Sequence, residues 1–190
     1  MTQLNLTRPI IFFDIEATGL QIARDRIVEL SYIKVFPDGR EESKTLRFNP
    51  EMHISAEATA VNGIKDEDVA DCPTFKEKSG ELTAIFQSCD LAGFNSNVFD
   101  VPMLVEEFAR AGSDFDITKS KLVDVQTIYH KLEPRNLIAA YKFYCNKDLH
   151  NAHTAMADTQ ATYEVLKAQL EKYGKELQGN VGWLSEFTRR

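Results

Sequence analysis

The sequence predicts a mixed α/β fold, a sheet of five strands flanked by helices, on three observations. Three candidate strands follow one another near the N-terminus. Beyond them, helical stretches alternate with two further short strands, the order that places helices against a mixed sheet. With 190 residues, 43% of them hydrophobic, the chain is long enough to bury one substantial core.

Each element has its own signal. Ile10 to Glu16 is a continuous apolar run ending in carboxylates, the pattern of a strand buried on both faces. Arg26 to Phe36 partly alternates, and the turn Pro37-Asp38-Gly39-Arg40 returns the chain into a third strand, Ser43 to Asn49. Ser55 to Val61, ended by Asn62-Gly63, and Thr74 to Gln87 have helical composition, while Asp90 to Phe94 is a short strand. Asp100 to Ala111 carries Pro102 early and Gly112 just past its end, the punctuation of a helix. Lys121 to Val125 reads as the fifth strand, and Asn136 to Tyr144 and Thr154 to Tyr173 read as helices. The expected domain is residues 1–173, with 174–190 as a C-terminal tail. In that tail Gly174, Gly179 and Gly182 loosen the chain, while Trp183, Leu184 and Phe187 form one small apolar face at helical spacing. Such a face either folds back on the domain or meets a partner.

Composition narrows the function. Twenty-two Lys plus Arg against 29 Asp plus Glu give a net charge of −7, which argues against a general nucleic-acid coat. It leaves room for an enzyme that grips a few terminal nucleotides, because bound divalent cations can neutralise phosphate locally. Cys72, Cys89 and Cys145 are scattered and lack C-x-x-C spacing, as in reduced intracellular thiols. The apolar run Pro9 to Phe13 is too short for a signal peptide or a membrane span, so the expected location is the cytoplasm and no membrane partner is expected.

Five residues carry the candidate chemistry. Asp14 and Glu16 are two apart on a strand, so both carboxylates project from one face. Two like charges held side by side cost desolvation and repulsion that a hard divalent cation would remove. Asp100 opens a helix, where an acid is also an ordinary capping or first-turn residue. His153 and Asp158 are five apart, about 140° around a helix, so they would not share a face within one. His153 is therefore placed just before the helix, whose small residues Ala155, Ala157 and Ala161 allow close packing. Taken singly, each of these five could equally be a solvated polar residue.

Together they resemble a family. Phe12-Phe13-Asp14-Ile15-Glu16-Ala17-Thr18-Gly19-Leu20 resembles the first motif, D-x-E-x-T-G-L, of the DEDD exonuclease superfamily. Phe99-Asp100 followed by Leu104 resembles its second motif, and His153 with Asp158 resembles the H-x-x-x-x-D motif of the DEDDh branch. The resemblance covers roughly residues 9–170, with the motifs in the right order. It is nearest to the proofreading subunits of bacterial replicative polymerases and their stand-alone homologues. Family members often carry His-Asn before the second motif and His-Gly-Ile in the linking segment. This chain has Asn95-Ser96 and Asn62-Gly63-Ile64 there, changes that leave every expected metal ligand in place.

The resemblance implies an RNase H-like fold and 3′→5′ hydrolysis of DNA with release of nucleoside 5′-monophosphates. It implies two divalent cations, Mg²⁺ or Mn²⁺, held by Asp14, Glu16, Asp100 and Asp158, with Asp14 bridging both and His153 as general base. Thr18 and Gly19 would offer backbone amides to the terminal nucleotide, Leu20 would wedge against its base, and Asn95 and Phe99 would lie along the strand. The implied partner is a single-stranded or frayed 3′ end, DNA in preference to RNA, with a DNA polymerase subunit as a further partner. Competing readings are an exoribonuclease of the same family, a non-catalytic binding module, and a haloacid-dehalogenase-like phosphatase with Asp14 as nucleophile. The last is disfavoured by Glu16 in place of a second Asp.

Overall fold

The computed structural model describes residues 4–190; residues 1–3, which begin the expected domain, lie outside them. Five strands form one sheet: β1 (Ile10–Ala17), β2 (Ile27–Val35), β3 (Glu41–Arg47), β4 (Asp90–Gly93) and β5 (Leu122–Asp124). Their order across the sheet is β3-β2-β1-β4-β5. The first three are antiparallel neighbours joined by short connections, whereas β4 and β5 run parallel to β1, reached through helices.

The helices are α1 (Ala56–Asn62), α2 (Asp66–Val69), α3 (Phe75–Phe86), α4 (Asp100–Arg110), α5 (Val125–Leu132), α6 (Leu137–Cys145), α7 (Ala155–Lys172) and α8 (Val181–Phe187). Local chemistry sets their starts. The Thr74 hydroxyl accepts the Glu77 amide at 3.2 Å while the Glu77 carboxylate accepts the Thr74 amide at 3.2 Å, a reciprocal cap on α3. Ser55 and Asn136 cap α1 and α6 through side-chain oxygens.

The chain divides into two compact units, one ending at Ile128 and one spanning Tyr129–Arg190. In the first, the odd residues of β1 bury one sheet face: Ile11, Phe13, Ile15 and Ala17 join Leu30, Tyr32 and Leu46 against Phe75, Leu82 and Phe86 of α3 and Met103, Leu104 and Phe108 of α4. The aromatic members meet edge to face, Phe13 on Phe86 and Phe75 on Phe108. In the second unit α6 and α7 pack through Tyr141, Ala161 and Val165.

Three features depart from the expectation. The even face of β1 is not fully buried: Phe12 and Glu16 are half-buried and Asp14 is exposed. The chain turns into α5 directly after Asp124, with the Asp124 carboxylate accepting the Gln126 amide at 3.0 Å, so Val125 begins a helix instead of ending a strand. The single turn of α2 carries three acids, Asp66, Glu67 and Asp68, at its positive end. Among the described residues no helix is long and apolar enough to cross a membrane.

Candidate active site

β1 delivers Asp14 and Glu16 on its open face, at the end of the strand away from its pairing with β4, which covers only Ile10 to Phe12. The sheet neighbour there is β2, which places Glu29 directly opposite Glu16. Arg47 binds Glu29 at 2.8 Å and offsets part of that charge. Asp100 arrives at the first turn of α4, only 4% exposed, with its Oδ1 3.4 Å from the Ile15 amide, between the two β1 acids in sequence. The three carboxylates line one open cleft of about 520 Å³ with Leu20, Asn95 and Phe99.

Electrostatics mark this trio as under-neutralised. Asp100 is pushed up to about 7, first by burial and then by the charge of Asp14, with Glu16 adding and the Ile15 amide opposing. Glu16 is raised by burial, then by Asp14 and Glu29, while the Asn62 side chain opposes. Asp14, although its side chain is open to solvent, is raised chiefly by the hydration its carboxylate loses against the surrounding protein, with the Ile15 amide opposing and Glu29 adding. The side chains line the cleft without being drawn together to coordination distances. An all-oxygen donor set whose own charges repel suits a hard divalent cation, so the residues present fit the ions that the resemblance implies.

A second cleft of about 370 Å³ is lined by Glu16, Gly19, Leu20, Asn62 and Phe99, residues partly shared with the first. Leu20 stands between the two, 83% exposed. Gly19 is required by a close approach: a Cβ there would lie 2.5 Å from Asp25 Oδ2. Thr18 is used differently from the expectation, since its amide donates to the Arg26 carbonyl at 2.9 Å and its hydroxyl donates to Asp25 at 2.9 Å. Thr18 thereby shapes the turn that carries Leu20. Asn95 adopts a left-handed conformation, φ 60°, just after β4.

His153 and Asp158 belong to the second unit. As expected, His153 precedes α7, whose first residue is Ala155, and it too has a left-handed φ of 73°. The Asp158 carboxylate accepts the His153 amide at 3.2 Å, which ties the two together at the start of the helix.

Sequence reasoning missed several residues that build the first unit's cleft. Asp124, buried at the end of β5, accepts the amides of Asn95 at 2.9 Å and Asn97 at 3.1 Å and so fixes the segment leading to Asp100. Burial alone would raise its carboxyl, but these amides with those of Gln126 and Thr127 hold it low. Asn62 donates towards the Ala17 carbonyl at 3.4 Å and faces Glu16; its place in Asn62-Gly63-Ile64 was the available signal. Asp25, Glu107 and Arg110 are buried or half-buried charges that local pattern does not distinguish from surface ones.

Comparison with known proteins accords with this geometry. Residues 11–166 match the RNase_T exonuclease family. DNA polymerase III PolC-type of Caldanaerobacter subterraneus subsp. tengcongensis is 27% identical over 90% of this chain and 12% of its own length. The same-named proteins of Latilactobacillus sakei and Bacillus subtilis are 29% and 27% identical, covering 86% and 94% of this chain. The chain thus spans only 12–13% of the length of these relatives. Among solved structures, the zinc-bound form of Escherichia coli exonuclease I with single-stranded DNA aligns with a TM-score of 0.60 and 18% identity, over 90% of this chain and 42% of that one. The same enzyme with a dT13 oligonucleotide aligns with a TM-score of 0.60, 16% identity and coverage of 89% and 43%. Exonucleases of this kind normally use divalent metal ions, and the five-stranded mixed sheet is the RNase H-like sheet of exonuclease I. With the match running through most of the chain, the protein belongs to the RNase_T exonuclease family.

Proposed function

We propose that this chain is a 3′→5′ exonuclease that removes nucleoside 5′-monophosphates from the end of a DNA strand. The observation that carries the reading is the convergence of Asp14, Glu16 and Asp100 on one cleft, each carboxyl raised by lost hydration and by its neighbours. These three with Asp158 would hold two divalent cations, Mg²⁺ or Mn²⁺. When bound, such ions stabilise the charge that builds on a phosphodiester during displacement.

The chain's own residues do the rest. His153 takes the proton of the attacking water as that oxygen bonds to phosphorus. The bond from phosphorus to the 3′ oxygen of the preceding nucleotide then breaks, and that oxygen leaves with a proton from solvent. Leu20 stacks against the terminal base, Gly19 supplies a backbone amide, and Asn95 and Phe99 lie along the strand. Contacts limited to backbone and a base face read little sequence.

DNA is favoured over RNA because the relatives are DNA polymerases and the structural neighbours hold DNA. The exonuclease domain is taken as residues 1–173 with 174–190 as a tail, working in the cytoplasm with a DNA polymerase as a candidate partner. Digestion of matched 3′-labelled and 5′-labelled DNA and RNA oligonucleotides, single-stranded and duplex, with Mg²⁺ or Mn²⁺, tests this. Immediate release of labelled mononucleotide from 3′-labelled DNA supports it. First release from the 5′ label reverses the direction, preferential digestion of RNA supports the exoribonuclease reading, and no release with either ion leaves the binding-module reading.

A further inference from the structure

The loop between β1 and β2, residues 18–26, carries Leu20 and Gly19 and has no regular structure. It is strapped from behind by the C-terminal end of α4. The Arg110 guanidinium donates to three of the loop's carbonyls: Asp25 at 3.2 Å, Ile22 at 3.1 Å and Ala23 at 3.1 Å. Its orientation is set by Glu107, 1% exposed, which accepts from Arg110 Nη1 and from Arg26 Nε, each at 2.6 Å. Inside the loop, Asp25 accepts the Thr18 hydroxyl and the Gln21 amide, both at 2.9 Å. The loop is thus pinned on both flanks of Leu20.

A buried ion pair contributes little net stability compared with well-packed apolar residues, so its value lies in fixing geometry. What is fixed here is the position of Leu20 relative to Asp100, because Asp100 is the first residue of the same helix that ends in Arg110. Resting on the exonuclease reading above, we infer that Arg110, oriented by Glu107, is a positioning residue that holds the Leu20 loop open to the end of the nucleic-acid strand. It touches neither the reacting phosphate nor the cleft, and its effect falls on binding of the strand end.

The test uses the full chain. Arg110→Met should raise KM for a single-stranded DNA oligonucleotide about tenfold while kcat stays within about twofold, since misplacing a binding element weakens capture without altering the reacting groups. Independently of activity, trypsin should cut after Arg24, whose side chain is 66% exposed, about tenfold faster once the strap is gone. Arg110→Lys keeps the charge beside Glu107 but cannot fork across several carbonyls, so it should show both effects in smaller degree. If Arg110→Met does not fold, Arg110→Lys is read by the same two measurements. A folded variant with the wild-type KM, or with Arg24 as protected as in the wild type, overturns the inference. Wild-type protein that releases no mononucleotide would sink the exonuclease reading instead, and the proteolysis result would still decide the strap.

Discussion

The carboxylate of Asp158 accepts the backbone amide of His153 at 3.2 Å, so an expected metal ligand also holds the left-handed residue expected to move the proton. The two roles should therefore separate on mutation. His153→Ala removes only the imidazole and keeps the amide bond. It is expected to lower kcat about 10²-fold or more, with the melting temperature and the metal-induced shift unchanged. Loss of the metal-induced shift in this variant would make His153 a ligand instead.

Asp100 gives a pH dependence with a definite sign. Its folded carboxyl is raised to about 7, above the ordinary value of an unfolded Asp. It therefore destabilises the metal-free protein above that pH, and the cost disappears as pH falls below the unfolded value. Asp100→Asn should stabilise the metal-free protein at pH 8 by an amount on the order of a few kcal/mol, since the group is buried. It should also flatten the stability profile between about pH 4 and 7 and abolish turnover. Urea unfolding at several pH values checks this, and an unchanged profile in the variant would refute the assignment.

Divalent cations should act in the opposite direction. Millimolar Mn²⁺ or Mg²⁺ is expected to raise the melting temperature by several degrees at pH 8, because ligands that bind the folded form alone stabilise it by mass action. The shift should shrink as pH falls through about 7 and Asp100 takes up its proton. A thermal scan with no shift at pH 8 would argue against a cation site in this cleft.

Gly19→Ala tests the tightness of the loop. The added Cβ would meet Asp25 Oδ2 at 2.5 Å, and that side chain cannot swing aside without giving up its bonds to Thr18 and Gln21. A loss of about 1–3 kcal/mol in denaturant unfolding is expected. A loss well below 1 kcal/mol would show that Asp25 yields easily.

Residues 180–190 should be dispensable for stability, since α8 buries none of its residues. Trp183 stacks on Phe187 within the same helix, with ring centroids 4.9 Å apart. The truncated chain is expected to keep its melting temperature and its rate on short oligonucleotides. A drop of several degrees would place Trp183 in a core.

The sheet was legible because strand alternation acts locally, whereas Asp100 was joined to Asp14 and Glu16 only by the family resemblance, its local pattern being that of a helix-capping acid. Asp14 and Glu16 share a face by backbone geometry alone, and the capped helices begin within a residue of the positions their Ser, Thr and Asn signals gave. The supports of the site were not legible, because each is a contact between residues far apart in sequence. Glu107 with Arg26, and Asp124 with the Asn95 amide, are separated by 81 and 29 residues, and each looks locally like an ordinary surface polar residue. α5 was missed because Asp124 ends a strand and begins a helix at once, leaving no gap for a turn signal.

The chain has a single tryptophan, and it lies in α8, while the first unit's core is built around phenylalanines. Selective tryptophan fluorescence is therefore an optical probe of the last few turns of chain and of whatever comes to cover Trp183. A denaturation curve followed by that signal alone would report the tail's environment, whereas circular dichroism would follow the sheet and its helices.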